Sequence, residues 1–185
     1  MECINFDRAF EQYATQWMRE HAAQYGNNLD RMESLMPDVY MRWLNQPAKW
    51  LGGQTPGGFF AKYDDVDMLL EWMMLYERQR VPVPAQLMER LAELDGAEAA
   101  FLWALQAVET PYTTRLTLVS LLRELDSTGP MALYVGWIAT RRQEDELADM
   151  AAESLQAMGA QVVSPILEAV DQATPAGQET FLDIL

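Results

Sequence analysis

"DELADMAAESLQAMGAQVVSPILEAV", residues Asp145 to Val170, contains two helical periods separated by one glycine. Ala151, Leu155 and Met158 recur at spacings of four and three, which stacks them on one face of a helix. Gly159 interrupts that face, and Ile166 and Val170 begin a second at a spacing of four, with Pro165 early in the second helix. Two short amphipathic helices joined by a tight turn cannot bury their apolar faces alone. Such a unit needs neighbours of its own kind.

Neighbours are present on the N-terminal side. Shifting "LVSLLRELDSTGPMALYVGWI" by 33 residues places Leu118 over Ala151, Leu122 over Leu155, Leu125 over Met158, Leu133 over Ile166 and Trp137 over Val170. A shift of 31 residues from the preceding segment places Leu87, Leu91, Leu94 and Leu102 over Leu118, Leu122, Leu125 and Leu133. The apolar frame is kept while the exposed positions vary, the signature of a repeat. Helix pairs are expected at 84–94 with 97–108, at 112–125 with 130–140, and at 145–158 with 162–172, followed by a helix from Pro175.

From Pro84 to Leu185 this pattern resembles HEAT-like repeats, most closely at Asp145–Val170. The resemblance implies a curved helical stack and a binding role, and it implies no chemistry. The expected fold is therefore all-α, with an N-terminal helical cap over residues 1–80 followed by HEAT-like α-α repeats over 81–185. Together they would form a short right-handed superhelix packed as one continuous unit, with "VPVP" (Val81–Pro84) as the boundary.

In the cap, Phe6, Phe10, Tyr13, Trp17 and His21 define one face of a helix ending near Tyr25-Gly26-Asn27-Asn28. A second helix is expected from Leu29 to Leu44, closed by Pro47. "DDVDMLLEWMMLYERQR" reads as a third, with Asp64, Asp65 and Asp67 at its positive end and Arg78 and Arg80 at its negative end. Trp72, Met73, Met74 and Tyr76 crowd most of its circumference, which suits a central helix or an adaptable binding flank.

Residues 43–60, "WLNQPAKWLGGQTPGGFF", raise the question of a ligand loop against a folded corner. Gly52 and Gly53 permit a tight reversal after Leu51. Thr55-Pro56 is a helix-start signal, after which Phe59 and Phe60 would anchor a short helix to the core. The Gly-Lys-Ser/Thr ending of a phosphate cradle is missing, so a corner is the expected role. Trp43-Leu44, Pro47, Leu51, Gly53 and Thr55-Pro56 resemble the pattern of the toxin-binding domain in Xre-type antitoxins, over residues 43–72. Such antitoxins usually carry an upstream DNA-binding helix-turn-helix, and the acidic N-terminal helices here show no basic recognition face. The same block is also similar to one in uncharacterised acidic HEAT-like proteins of Gram-positive bacteria, and that likeness suits the whole chain.

Composition narrows the function classes. Thirteen Lys and Arg against 28 Asp and Glu give a formal charge of −15, which disfavours phosphate backbones and anionic membrane surfaces. One cysteine, Cys3, and one histidine, His21, exclude a disulfide within the chain and zinc sites built from Cys and His. "MECINFDRAFEQ" lacks a basic n-region followed by an apolar one, and no run approaches a membrane span, so a cytoplasmic address is expected.

No side-chain constellation suggests catalysis. His21 lies on the Phe6–Trp17 face with no local nucleophile or carboxylate partner, and Ser120, Ser127 and Ser154 have no base. Cys3 reads as an incidental thiol. Asp64, Asp65 and Asp67 lack the rest of a calcium loop. Glu144, Asp145, Glu146 and Asp149 have no histidine to complete a di-metal site. A nucleic-acid reader would need a basic row, which Arg115, Arg123, Arg141 and Arg142 only begin.

The expected function is thus a non-enzymatic protein–protein interaction module without cofactors or metals. An antitoxin-like toxin binder and a metal-dependent enzyme using surface carboxylates are the alternatives. Trp103, Tyr134 and Trp137, on the second helices of their pairs, are the expected partner-binding rings. The surrounding negative charge selects a protein or peptide with a basic, partly apolar segment, and neither nucleic acid nor membrane.

Overall fold

The structure, a computed structural model, describes residues 1–26 and 28–185. Among them every regular element is helical. Asn27, within the expected turn at Tyr25–Asn28, lies outside the described residues. The contacts divide the chain into two compact units, Met1–Leu94 and Asp95–Leu185.

The first unit begins with α1, Phe6–His21, whose N-terminus is capped by the Asn5 side chain accepting from Arg8 N at 2.8 Å. The expected Leu29–Leu44 helix is broken into α2, Leu29–Glu33, and α3, Met36–Leu44. Pro37 is the reason. It has no N–H for the carbonyl four residues back, and its ring crowds that carbonyl, so the chain ends one helix at Ser34 and starts another. Trp17, Met32 and Val39 form the small core between these helices, and α1 packs on α3.

α4, Val66–Gln79, is the centre of this unit. Asp65 caps it by accepting from Met68 N at 3.0 Å, which contributes about 1 kcal/mol. Leu69, Leu70, Trp72, Met73 and Tyr76 are all buried, so the crowded Met and aromatic residues serve mainly as core. The N-terminal segment is stitched onto α4. Trp72 Nε1 donates to Glu2 O at 3.1 Å, Ile4 N donates to Tyr76 Oη at 3.1 Å, and Tyr76 Oη donates to Ile4 O at 3.2 Å. α4 ends in a left-handed Arg80, where Val81 N donates back to Tyr76 O at 3.0 Å. Past Val81–Pro84, α5 (Ala85–Glu93) still belongs to the first unit. It packs on α4, Gln86 donates to Tyr40 Oη at 3.2 Å, and Arg90 donates to the Tyr63 carbonyl at 2.8 Å.

The second unit holds α6 (Ala97–Gln106), α7 (Tyr112–Glu124), α8 (Met131–Thr140), α9 (Glu146–Met158), α10 (Val163–Ala169) and α11 (Pro175–Ile184). α6 packs on α7, α7 on α9, α8 on α9 and α10, and α11 on α8 and α9. Short 3₁₀ turns, Gly159–Val162 and Val170–Gln172, flank α10. Phe101, Leu105, Leu118, Leu122, Ile138, Leu155, Ile166 and Phe181 are fully buried.

Arg141 ties three elements of this unit together. Its guanidinium lies 2.7 Å from Asp149 of α9 and also reaches Thr180 of α11, and its carbonyl accepts from the Thr174 hydroxyl. Thr174 is also the N-cap of α11, accepting from Gly177 N at 3.1 Å. Gly177 lets α11 approach the backbone of α8 closely.

Candidate functional site

The corner at 43–60 resolves into two tight turns on an aromatic box. Ala48 N donates to Gln54 O and Gly53 N to Ala48 O, both at 2.9 Å, closing a loop around the 3₁₀ turn Lys49–Leu51. Gly52 and Gly53 both adopt positive φ, +64° and +88°, and Leu51 is buried beneath them. Thr55-Pro56 starts no helix. The Thr55 hydroxyl accepts from Gly58 N at 3.1 Å, as an N-cap would, but the chain continues as a turn. Gly57 and Gly58 immediately follow, and their backbone entropy outweighs a helical nucleus.

Phe59 and Phe60 are buried without the expected helix, against Phe6 at 5.7 and 5.9 Å between ring centroids. Phe60 lies edge-on to Trp72 at 5.2 Å, and Phe6 edge-on to Trp43 at 6.5 Å. Pro47 follows the end of α3 at the surface, and Pro56 is buried. The stretch folds a corner, and one side of it remains open to solvent at Trp50.

The three rings expected to bind a partner have three different surroundings. On α6 the buried residues are Ala97, Phe101, Ala104 and Leu105, at helical spacings of four, three and one. Trp103 lies off that stripe and is 71% exposed. On α8, Tyr134, Val135 and Ile138 face inward, and Tyr134 is only 1% exposed. Tyr134 is therefore core rather than docking surface, because its position fills the face that α8 turns toward its neighbours. Trp137, one turn later, is half-buried with its ring 5.5 Å from that of Tyr134.

The Tyr134 hydroxyl has no hydrogen-bond partner among the described residues, and burial pushes its pKa well above the ordinary phenol value. It lines a cavity of about 170 Å³ together with Arg123, Ser127, Thr128, Ser154 and Gln161.

Trp137 opens onto a broad groove with Tyr112, Arg115, Arg142 and Asp145. Tyr112 is 49% exposed and its hydroxyl accepts from Leu147 N at 3.2 Å while lying 3.3 Å from Asp145 Oδ1. Desolvation raises the Tyr112 pKa above the ordinary phenol value. The arginines here do not form a free basic row. Arg115 donates to Ala107 O at 2.9 Å, Arg123 pairs with Glu153 at 2.8 Å, and Arg141 is held by Asp149.

Three of the candidate carboxylates are likewise occupied in the fold. Asp65 and Asp145 cap helices, and Asp149 holds Arg141. Among the described residues no group of three or more His, Cys, Asp or Glu side chains is placed to share a metal ion. His21 stacks on Trp17 at 4.5 Å with Nδ1 2.8 Å from the Trp17 carbonyl, an arrangement in which Nδ1 carries the proton and donates. Ser127 donates to Glu98, and Ser154 to the Met150 carbonyl at 2.8 Å. Burial raises the Cys3 pKa and keeps the thiol protonated. Among the described residues no helix is long and apolar enough to cross a membrane.

An all-α chain of two units, with exposed aromatic surface, is what the fold defines. No protein family, curated protein or solved structure matches it.

Proposed function

We propose that this chain is a non-enzymatic protein–protein interaction module whose second unit is built from HEAT-like helix pairs. The packing of α7 on α9, α8 on α10 and α9 on α11 supports that arrangement, since like helices of successive pairs meet in such a stack. The observation that carries the binding role is Trp103, 71% exposed on a helix whose other large side chains are mostly sequestered. Exposed tryptophans are costly to solvate and are enriched at the energetic centres of interfaces. Val108 (87% exposed), half-buried Trp137 and Tyr112 add apolar surface to the same unit.

The partner is a protein or peptide with a basic, partly apolar segment. Residues 95–185 carry four arginines, no lysine and fourteen Asp and Glu, so ten of the fifteen net negative charges fall there. That field speeds encounter with a cationic partner and repels nucleic acid.

Affinity capture from native lysate with wild-type bait and with Trp103→Ala bait tests this reading. A protein retained by the wild type, lost with Trp103→Ala, and weakened by added salt is the expected result. Identical capture by both baits would exclude Trp103 as the anchor.

A further inference from the structure

We infer that the first unit carries a second binding surface, a groove between α1 and the corner that accepts a neutral proline-rich segment in the polyproline II conformation. The groove is about 260 Å³ and is lined by Tyr13, Trp43, Pro47 and Trp50, with the carboxamides of Gln12 and Gln46 at its edge. No Asp, Glu, Lys, Arg or His lines it, in a chain that carries −15 overall. A charge-free surface on so acidic a protein discriminates against basic and acidic segments alike, because either would lose hydration there without finding a counter-charge.

The polar side-chain groups that remain are all neutral. An indole N–H donates only, a carboxamide offers two N–H bonds beside one accepting oxygen, and a phenol both donates and accepts. A segment rich in proline presents backbone carbonyls that can accept from those N–H groups, and few N–H groups of its own that need a partner. Its pyrrolidine rings suit flat aromatic walls, and its conformation is formed before binding, so little entropy is lost. Saccharides also stack on tryptophan. Their hydroxyls donate as well as accept, and the acceptors among the lining side chains are only the glutamine carboxamide oxygens and the Tyr13 hydroxyl.

The walls are fixed in advance. Trp50 is 50% exposed, yet its ring stands edge-on to Phe6 at 5.9 Å, and the Ala48–Gln54 and Gly53–Ala48 hydrogen bonds hold the turn that presents it. Trp43 packs on Phe10 at 5.4 Å and on Tyr40 at 5.7 Å. The Gly- and Pro-rich corner thereby does two things. It closes the core with Phe59 and Phe60 and offers Trp50 outward.

The test uses the full chain and a fluorescein-labelled decaproline peptide, followed by fluorescence anisotropy. A peptide of equal length with alternate prolines replaced by alanine serves as control. Saturable binding of decaproline, weakened at least tenfold for the control peptide and for Trp50→Ala, is expected. Gln46→Glu gives a second handle, since it places a charge at the exposed edge of the groove without touching the core, and it should weaken binding while leaving the melting temperature unchanged. Trp103→Ala should bind decaproline like wild type, which separates this surface from the one in the second unit. No saturable binding at millimolar peptide would overturn the inference, as would binding indifferent to both Trp50→Ala and Gln46→Glu. Thermal stabilisation by cellobiose that depends on Trp50, with no response to decaproline, would assign the groove to saccharides instead.

Discussion

Two glycines in the second unit invite the same substitution with opposite outcomes. A methyl group on Gly177 would lie 2.4 Å from the Ile138 carbonyl oxygen and 3.3 Å from Ala139 Cα, both parts of the α8 backbone. Backbone cannot rotate aside as a side chain can, so α11 must move away from α8 by about 1 Å to restore van der Waals distance. That overpacking costs about 1–3 kcal/mol. The shift also strains the Thr174 N to Ala139 O hydrogen bond, 2.9 Å in the native structure, at about 1 kcal/mol. Replacing a helical glycine returns about 1 kcal/mol of backbone entropy, leaving a net loss of about 2 kcal/mol.

Gly136, within α8, has nothing within 4 Å of its would-be methyl, so Gly136→Ala should gain about 0.5–1 kcal/mol. Urea unfolding monitored by circular dichroism measures both, and in a unit of this size each 1 kcal/mol corresponds to about 4–8 °C in melting temperature. Equal stability of Gly177→Ala and Gly136→Ala would refute the close approach of α11 to α8.

Gly53→Ala should cost about 1 kcal/mol, from backbone strain alone, because φ is +88° and nothing obstructs the added methyl; an unchanged denaturation midpoint would show that the loop relaxes freely. Burial pushes the Tyr76 pKa up to about 12, while an unfolded tyrosine ionises near ~10. A raised folded pKa means that its contribution is complete below about pH 10 and is lost as pH rises from about 10 through 12. Unfolding free energy should therefore be insensitive to this group at neutral pH and decline in alkali. Tyr76→Phe should make that decline shallower, and it should cost about 1–2 kcal/mol at neutral pH through the two lost bonds to Ile4.

The helices themselves were legible because burial demands a periodic stripe. Phe6 to His21 emerges as α1, "DDVDMLLEWMMLYERQR" as α4, and the seven helical segments from Pro84 onward as α5 to α11. What escaped is what depends on local competition or on a helix's rotation. Pro37 split one expected helix, and Gly57-Gly58 turned the cap at Thr55 into a bare turn. Only three-dimensional contacts place α5 with the first unit. The rings were harder still. α8 is apolar almost all round, "MALYVGWIAT", so no stripe in the sequence tells which of Tyr134 and Trp137 faces inward. On α6 the alanines 97 and 104, read as core with Phe101, would have marked Trp103 as outward-facing. The groove at Trp50 left no sequence signal beyond an unusual density of aromatic residues, since it is assembled from residues some forty positions apart.

Arg141 has a consequence for how the second unit opens. Its carbonyl holds the Thr174 hydroxyl, its guanidinium holds Asp149 and reaches Thr180, and Ala139 O holds Thr174 N. A helix would ordinarily fray from its ends, one amide at a time. Here the first turn of α11 can be released only if the end of α8 lets go as well. Hydrogen exchange should therefore find the early amides of α11 and those around Arg141 protected to a common free energy, a single cooperative block rather than a gradient.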